Sequence, residues 1–129
     1  METRIAPRIP VDLTVVSQID RRFKQDFSLA EGDRFRVLAL DVSVGGIGIL
    51  SKYFLPTGLR IILAFPGKTF GFGNIIKTNG EIRYCKFIKQ SGYRCGIKFI
   101  ELPILYRKEI AKFVAKHEKR EEPRVVLAE

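Results

Sequence analysis

The sequence predicts a mainly β fold, a small six-stranded antiparallel β-barrel with one C-terminal α-helix packed beside it. Three observations carry that expectation. Apolar residues come in short, partly alternating runs rich in Val, Ile and Phe, the period of half-buried strands. Short turns rich in glycine, proline and asparagine separate the runs, with no helical pattern between them, which excludes βαβ units and a parallel sheet. After Pro103 the apolar spacing changes to a helical one. At 129 residues the chain fits one domain with a core that needs no staples.

The organisation read from composition is an N-terminal arginine arm over 1–10, a barrel plus helix over 11–120, and a tail over 121–129. In the arm, Pro7 and Pro10 flank Arg8 and keep the preceding residues out of the helical region, so the arm is extended and pliable. Val11 to Ile19 is β-branched and forms the first strand. Residues 20–33 are polar with isolated Phe23, Phe27 and Leu29, and read as a loop or irregular hairpin. Arg34 to Ser43 and Gly46 to Lys52 are the second and third strands. Pro56-Thr57-Gly58 is a turn before a fourth strand, Leu59 to Phe65. Pro66 to Phe72 is a glycine-rich reversal, and 74–89 is one long strand or two broken at Asn79-Gly80. Gln90-Ser91-Gly92 turns into the last strand, Tyr93 to Ile100, a hairpin that sets Cys85 opposite Cys95. Tyr106, Ile110, Phe113, Val114 and the single histidine, His117, make one stripe of a helix ending near Arg120. The tail from Pro123 reads as a disordered end or a docking strand.

Lys and Arg total 23 against 14 acids, a net charge of +9, which attracts an anion: nucleic acid, an anionic membrane, an acidic partner or a phosphorylated ligand. No apolar run is long enough for a transmembrane helix, and the N-terminus lacks an apolar block, so the expected location is cytoplasmic. Two cysteines without CxxC spacing or a nearby histidine make neither a zinc site nor a disulfide framework; they read by default as small buried hydrophobes, with a redox bridge between them as the lesser alternative. Gly67-Lys68-Thr69 lacks the glycine spacing of a phosphate loop, and Gly45, Gly46 and Gly48 do not make GxGxxG. With no nucleophile-base pair and no metal spacing, an enzyme is not expected.

The polar chemistry concentrates in Asp41-Val42-Ser43-Val44-Gly45-Gly46-Ile47-Gly48, which interrupts an apolar run with a carboxylate, a hydroxyl and three glycines. Strand alternation sends Asp41 and Ser43 to one face and Leu40, Val42 and Val44 to the core, and glycine leaves the backbone open to a ligand. Ahead of the first strand, Arg4 and Arg8 are spaced R-x-x-x-R, so their guanidiniums span roughly 13 Å if extended, enough to grip both ends of a dianion.

An R-x-x-x-R arm, a D-x-S-x-x-G strand end, a YRCGIKF final strand and a C-terminal helix together resemble the PilZ domain, the bacterial receptor module for cyclic di-GMP. The resemblance implies that Arg4 and Arg8 hold phosphates and a base face while Asp41, Ser43 and Gly46 read a guanine. The residue chemistry agrees. A guanidinium pairs bidentately with phosphate, reaches guanine O6 and N7 or stacks on the base, and a carboxylate accepts guanine N–H donors. The implied ligand is cyclic di-GMP, with no cofactor or metal and an unidentified downstream protein in motility, biofilm or exopolysaccharide control. Binding orders the arm. Thr3 stands where some members carry a further arginine, which points to one ligand molecule rather than a stacked pair. Two rivals are a PilZ-like protein adaptor that binds no nucleotide and, more weakly, a basic nucleic-acid-binding barrel.

Overall fold

The computed structural model describes residues 7–127, with helix side chains as far as Glu118. Arg4 and the first six residues of the arm lie outside the described residues. Six strands close a barrel in the order β1-β2-β3-β6-β5-β4: β1 Ile9–Ile19, β2 Arg34–Val42, β3 Gly46–Ser51, β4 Arg60–Pro66, β5 Ile75–Ile88 and β6 Gly92–Ile100. All neighbours are antiparallel. A helix, α1, runs from Ile104 to Leu127. The expected mainly β barrel with one C-terminal helix is therefore the observed architecture.

Alternation fills the barrel. Val15, Ile19, Val37, Ala39, Ile61, Leu63, Phe65, Ile76, Ile82, Ile97 and Phe99 point inward at every second position of their strands, so the core is built mostly of branched and aromatic side chains. Closure needs β3 beside β6 and β1 beside β4, pairings that leave no free sheet edge among the described strands. The helix docks through buried Ile110 and Val114. Its rings extend the contact: Phe113 meets Phe70 edge-on at 4.9 Å, and Tyr106 meets Phe72 at 4.9 Å. His117 packs on Phe113, with Nδ1 2.9 Å from the Phe113 carbonyl, a packing role.

Two details differ from the sequence reading, and a third decides between the two alternatives it left for 74–89. β1 begins at Ile9, whose side chain is buried, so Ile9 and Pro10 belong to the barrel and Arg8 sits at its edge rather than out on an arm. Asn79-Gly80 is no turn: β5 runs unbroken, and a Cβ on Gly80 would meet Ile97 Cγ2 at 2.6 Å, so this glycine permits close packing across the barrel. The helix backbone passes Arg120 and Pro123, so the expected tail is helical to Leu127. Proline removes one backbone donor near the helix end, where few turns remain to be disrupted. Loop 20–33 is irregular as expected, and Arg21 organises it by bonding Asp33 and the carbonyls of Gln25 and Phe27.

Candidate functional site

The aim of Asp41 comes from a break in strand register. Phe35, Val37 and Ala39 face the core, and strict alternation would carry residue 41 inward as well. Pairing with β3 shifts between Ala39 and Asp41, and beyond the shift Val42 is the buried residue. An extra residue in one strand reverses which face its successors occupy, so the irregularity turns the Asp41 carboxylate outward. Leu40, at the shift, and Val44, in the bend after the strand, both expected in the core, are only half-buried; of the three, Val42 alone is fully inside.

The turn after β2 is closed by Ser43 N–H donating to the Gly46 carbonyl at 2.9 Å. Ser43 Oγ, on a nearly buried residue, accepts the Gly45 N–H at 3.3 Å. The glycines divide their work. A Cβ on Gly46 would collide with the Ile97 carbonyl oxygen, so Gly46 is glycine to let β6 approach. Gly45 is exposed with nothing within 4 Å of a hypothetical Cβ, so it is Gly45 that offers open backbone. Gly48 lies opposite Asp41 in the ladder and leaves room for its carboxylate.

Two guanidiniums take that carboxylate, one at each oxygen. Arg8 Nε donates to Asp41 Oδ1 at 2.9 Å, and Arg94 Nη2 donates to Oδ2 at 2.6 Å. Arg8 Nη1 also reaches Ser43 Oγ at 3.3 Å, which fixes the plane of its guanidinium. Burial works against the Arg94 cation, but the Asp41 hydrogen bond and charge, with help from the Tyr84 hydroxyl, hold its pKa above the ordinary guanidinium value. Each arginine keeps more than a third of its side chain exposed while Asp41 keeps 14 %, so the anion is shielded and the cations face solvent.

Beside this network lies an open groove of about 380 Å3 lined by Arg8, Ser43, Gly45, Gly46, Arg83, Tyr84, Gly96, Ile97 and Lys98. The Tyr84 ring lies over Gly96, where any Cβ would strike it, and the side chain remains partly exposed. Such a groove combines fixed cations, one shielded carboxylate, a hydroxyl, bare backbone and an aromatic plane. That set suits a phosphorylated ligand carrying a flat heterocycle. Among the described residues no three His, Cys, Asp or Glu side chains cluster to hold a metal, and no helix is long and apolar enough to cross a membrane.

Of the residues singled out in the sequence, Arg8, Asp41, Ser43 and Gly46 come together here. Arg4 lies outside the described residues. Sequence reasoning missed Arg94, Tyr84, Arg83 and Lys98. A signal existed for two of them, because inward Cys95, Ile97 and Phe99 send Arg94 and Lys98 to the outer face with Gly96. What alternation does not reveal is that β6 lies beside β3, the pairing that brings Arg94 to Asp41.

Comparison with known proteins follows the same outline. The PilZ domain family model matches residues 2–116. A curated relative, an uncharacterized protein of Aquifex aeolicus (strain VF5), is 38% identical over 80 residues, which cover 61% of this chain and 37% of the relative. The chain thus matches little more than a third of that relative's length. Among solved structures, the Bacillus subtilis inhibitor of motility MotI/DgrA superposes with a TM-score of 0.72 at 14% identity, covering 94% of this chain and 54% of that one. The PilZ domain with cyclic di-GMP of YcgR from Escherichia coli gives 0.61 at 13% identity, covering 96% and 98%. PlzA of Borreliella burgdorferi in complex with cyclic di-GMP gives 0.58 at 20% identity, covering 87% and 41%.

Proposed function

The chain belongs to the PilZ domain family, and from that premise we propose that it is a receptor for cyclic di-GMP, a binding module and not a catalyst, that passes the signal to a downstream protein. The observation that carries this reading is the position of Arg8, held at once by Asp41 and Ser43 at the mouth of a groove walled by Tyr84.

The Asp41 carboxylate is satisfied by two guanidiniums. Cyclic di-GMP carries the groups to replace both halves of the Arg8–Asp41 pair. Its phosphate takes the Arg8 fork, and the N–H edge of a guanine takes the vacated carboxylate oxygen. Charge-assisted hydrogen bonds are exchanged rather than lost, which keeps the cost of opening the pair low. Ser43 bonds alongside, Gly45 lets the base approach the main chain, and the partly exposed Tyr84 stacks on a purine. Arg83 and Lys98 add positive charge along the groove. Arg4 closes over the second phosphate from the arm. With Thr3 in place of a further arginine, one ligand molecule is bound.

Ordering of the arm around the ligand creates the surface a partner reads. Solved structures of similar fold include an inhibitor of motility, so the proposed output is control of motility or surface attachment in the cytoplasm. Isothermal titration calorimetry with cyclic di-GMP, GTP and cyclic AMP tests the reading. Saturable heat with cyclic di-GMP alone, abolished by Arg8→Ala in a protein that melts as the parent does, supports it. No heat from the parent at micromolar concentration would instead leave a nucleotide-free adaptor.

A further inference from the structure

Two thiols that the proposed receptor function does not use face each other directly behind the groove wall. Cys85 on β5 pairs with Cys95 on β6, and the next pair along the ladder is Tyr84 with Gly96, both groove-lining residues. The two sulfurs are 3.1 Å apart and both cysteines are free. Directly opposed antiparallel residues have Cα atoms about 4.5–5.5 Å apart, inside the range of about 4.4–6.8 Å that a disulfide spans. A bond between these sulfurs therefore needs side-chain rotation and no movement of strands.

The pair is also asymmetric. Cys85 is half-buried, and its Sγ accepts the Leu55 N–H at 3.4 Å and the Cys95 S–H. Cys95 is fully buried, and burial together with the bond to Cys85 pushes its thiol pKa up. Cys85 is thus the sulfur an oxidant reaches, and Cys95, with its sulfur 3.1 Å away, is the neighbour placed to resolve it, although its raised pKa slows that step.

We propose that Cys85 and Cys95 form an oxidative modification site, a dithiol that a hydroperoxide converts into an intrachain disulfide stapling β5 to β6 beside the ligand groove. The Cys85 sulfur attacks the peroxide, breaking the O–O bond and becoming a sulfenic acid as the hydroperoxide is reduced to its alcohol or, for hydrogen peroxide, to water. Cys95 sulfur then attacks the sulfenic sulfur, its proton leaves with the hydroxyl as water, and the S–S bond forms. The staple falls one pair beyond the register shift between Ile82 and Tyr84, so it locks the part of the ladder that sets Tyr84 and Arg94.

The test is intact mass spectrometry and thiol alkylation of the wild-type protein before and after mild hydrogen peroxide. The expected product is a monomer lighter by two hydrogen atoms, with both thiols protected from alkylation under denaturing conditions and both recovered with dithiothreitol. Cys95→Ser should stop at a dimedone-trappable Cys85 sulfenic acid. Addition of oxygen at Cys85 with Cys95 still alkylated, linkage only between chains, or no reaction would overturn the proposal, and the wild-type masses decide even if the variant does not fold. The link to binding rests on the cyclic di-GMP reading and has its own readout: oxidised and reduced protein differ in affinity by about fivefold or more. Equal affinities refute the coupling. Absence of binding in both forms refutes the receptor reading and leaves the thiol result standing.

Discussion

Gly48 and Asp41 face each other across the β2–β3 ladder, and a Cβ placed on Gly48 would lie 2.6 Å from Asp41 Oδ1. Gly48 is thus the floor on which the carboxylate rests while Arg8 and Arg94 grip it. Gly48→Ala should displace the carboxylate, the mobile partner in that contact, and leave the barrel folded. The expected result is a melting temperature within a few degrees of the parent and cyclic di-GMP affinity down about tenfold, roughly 1.4 kcal/mol. Calorimetry and a thermal melt on one preparation check it. Unchanged affinity would mean that Asp41 does not need this floor.

Gly45 and Gly46 are adjacent and should respond oppositely. A Cβ on Gly46 runs into main chain, the Ile97 carbonyl, which shifts only if β6 shifts. Gly46→Ala should cost about 1–3 kcal/mol of stability, as overpacking does. Gly45→Ala meets open space and should leave unfolding in urea unchanged while narrowing the groove, so its effect shows only in ligand titration. Equal destabilisation by both would contradict the division of roles.

The contrast between those glycines marks where sequence stops informing structure. Barrel and helix were legible because period and turn residues are local: Val15, Val37 and Leu63 alternate inward as their neighbours in sequence require. The D-x-S-x-x-G strand end was legible as a polar cluster too, although the reason Asp41 faces outward was not. Alternation from Phe35 through Ala39 places residue 41 inward, and a register shift, which depends on the partner strand, reverses it. Arg94 was missed for a related reason. Its outward aim follows from Cys95 and Ile97, but its contact with Asp41 exists only because β6 closes the barrel against β3 across a long sequence separation. Asn79-Gly80 fails in the other direction: a strong local turn signal yields to strands on both sides that pair with it and to Ile97 packed over Gly80.

Away from the groove, Asp20 makes part of the fold's stability depend on pH. It is 1% exposed, and Arg22 bonds both of its carboxylate oxygens, from Nε at 2.9 Å and Nη2 at 2.6 Å. The Arg22 hydrogen bond outweighs burial and lowers the Asp20 pKa below the usual carboxylate value. A carboxyl depressed in the folded state contributes stability that is fully present above its unfolded pKa, about 3.9, and lost as pH falls through the folded value. Asp20→Asn should therefore lower the melting temperature at pH 7, and the gap to the parent should close below about pH 4. Melts from pH 7 to pH 2.5 read this directly. A gap independent of pH would assign the loss to packing rather than to the ion pair.

Arg94 tests whether the carboxylate network prepares Arg8 for a ligand or competes with it. With Arg94 present, the charge of Asp41 is shared by two guanidiniums, so the hold on Arg8 is weaker than a lone carboxylate would exert. Arg94→Ala leaves Arg8 as the remaining partner of Asp41 in this network, and a phosphate must then draw it from an unshared anion. Affinity for cyclic di-GMP should fall about tenfold, with stability altered by less than about 1 kcal/mol because the lost pair is partly solvated. Arg94→Lys should recover part of the loss, since a lysine shares the charge but lacks the planar fork. If competition is the cause, adding Asp41→Asn to Arg94→Ala removes the unshared anion, and the double variant should bind better than the sum of the single losses requires. A double-mutant cycle by calorimetry measures that coupling. Strict additivity would show that Arg94 and Asp41 reach the ligand independently, with Arg94 touching it itself rather than acting through the carboxylate.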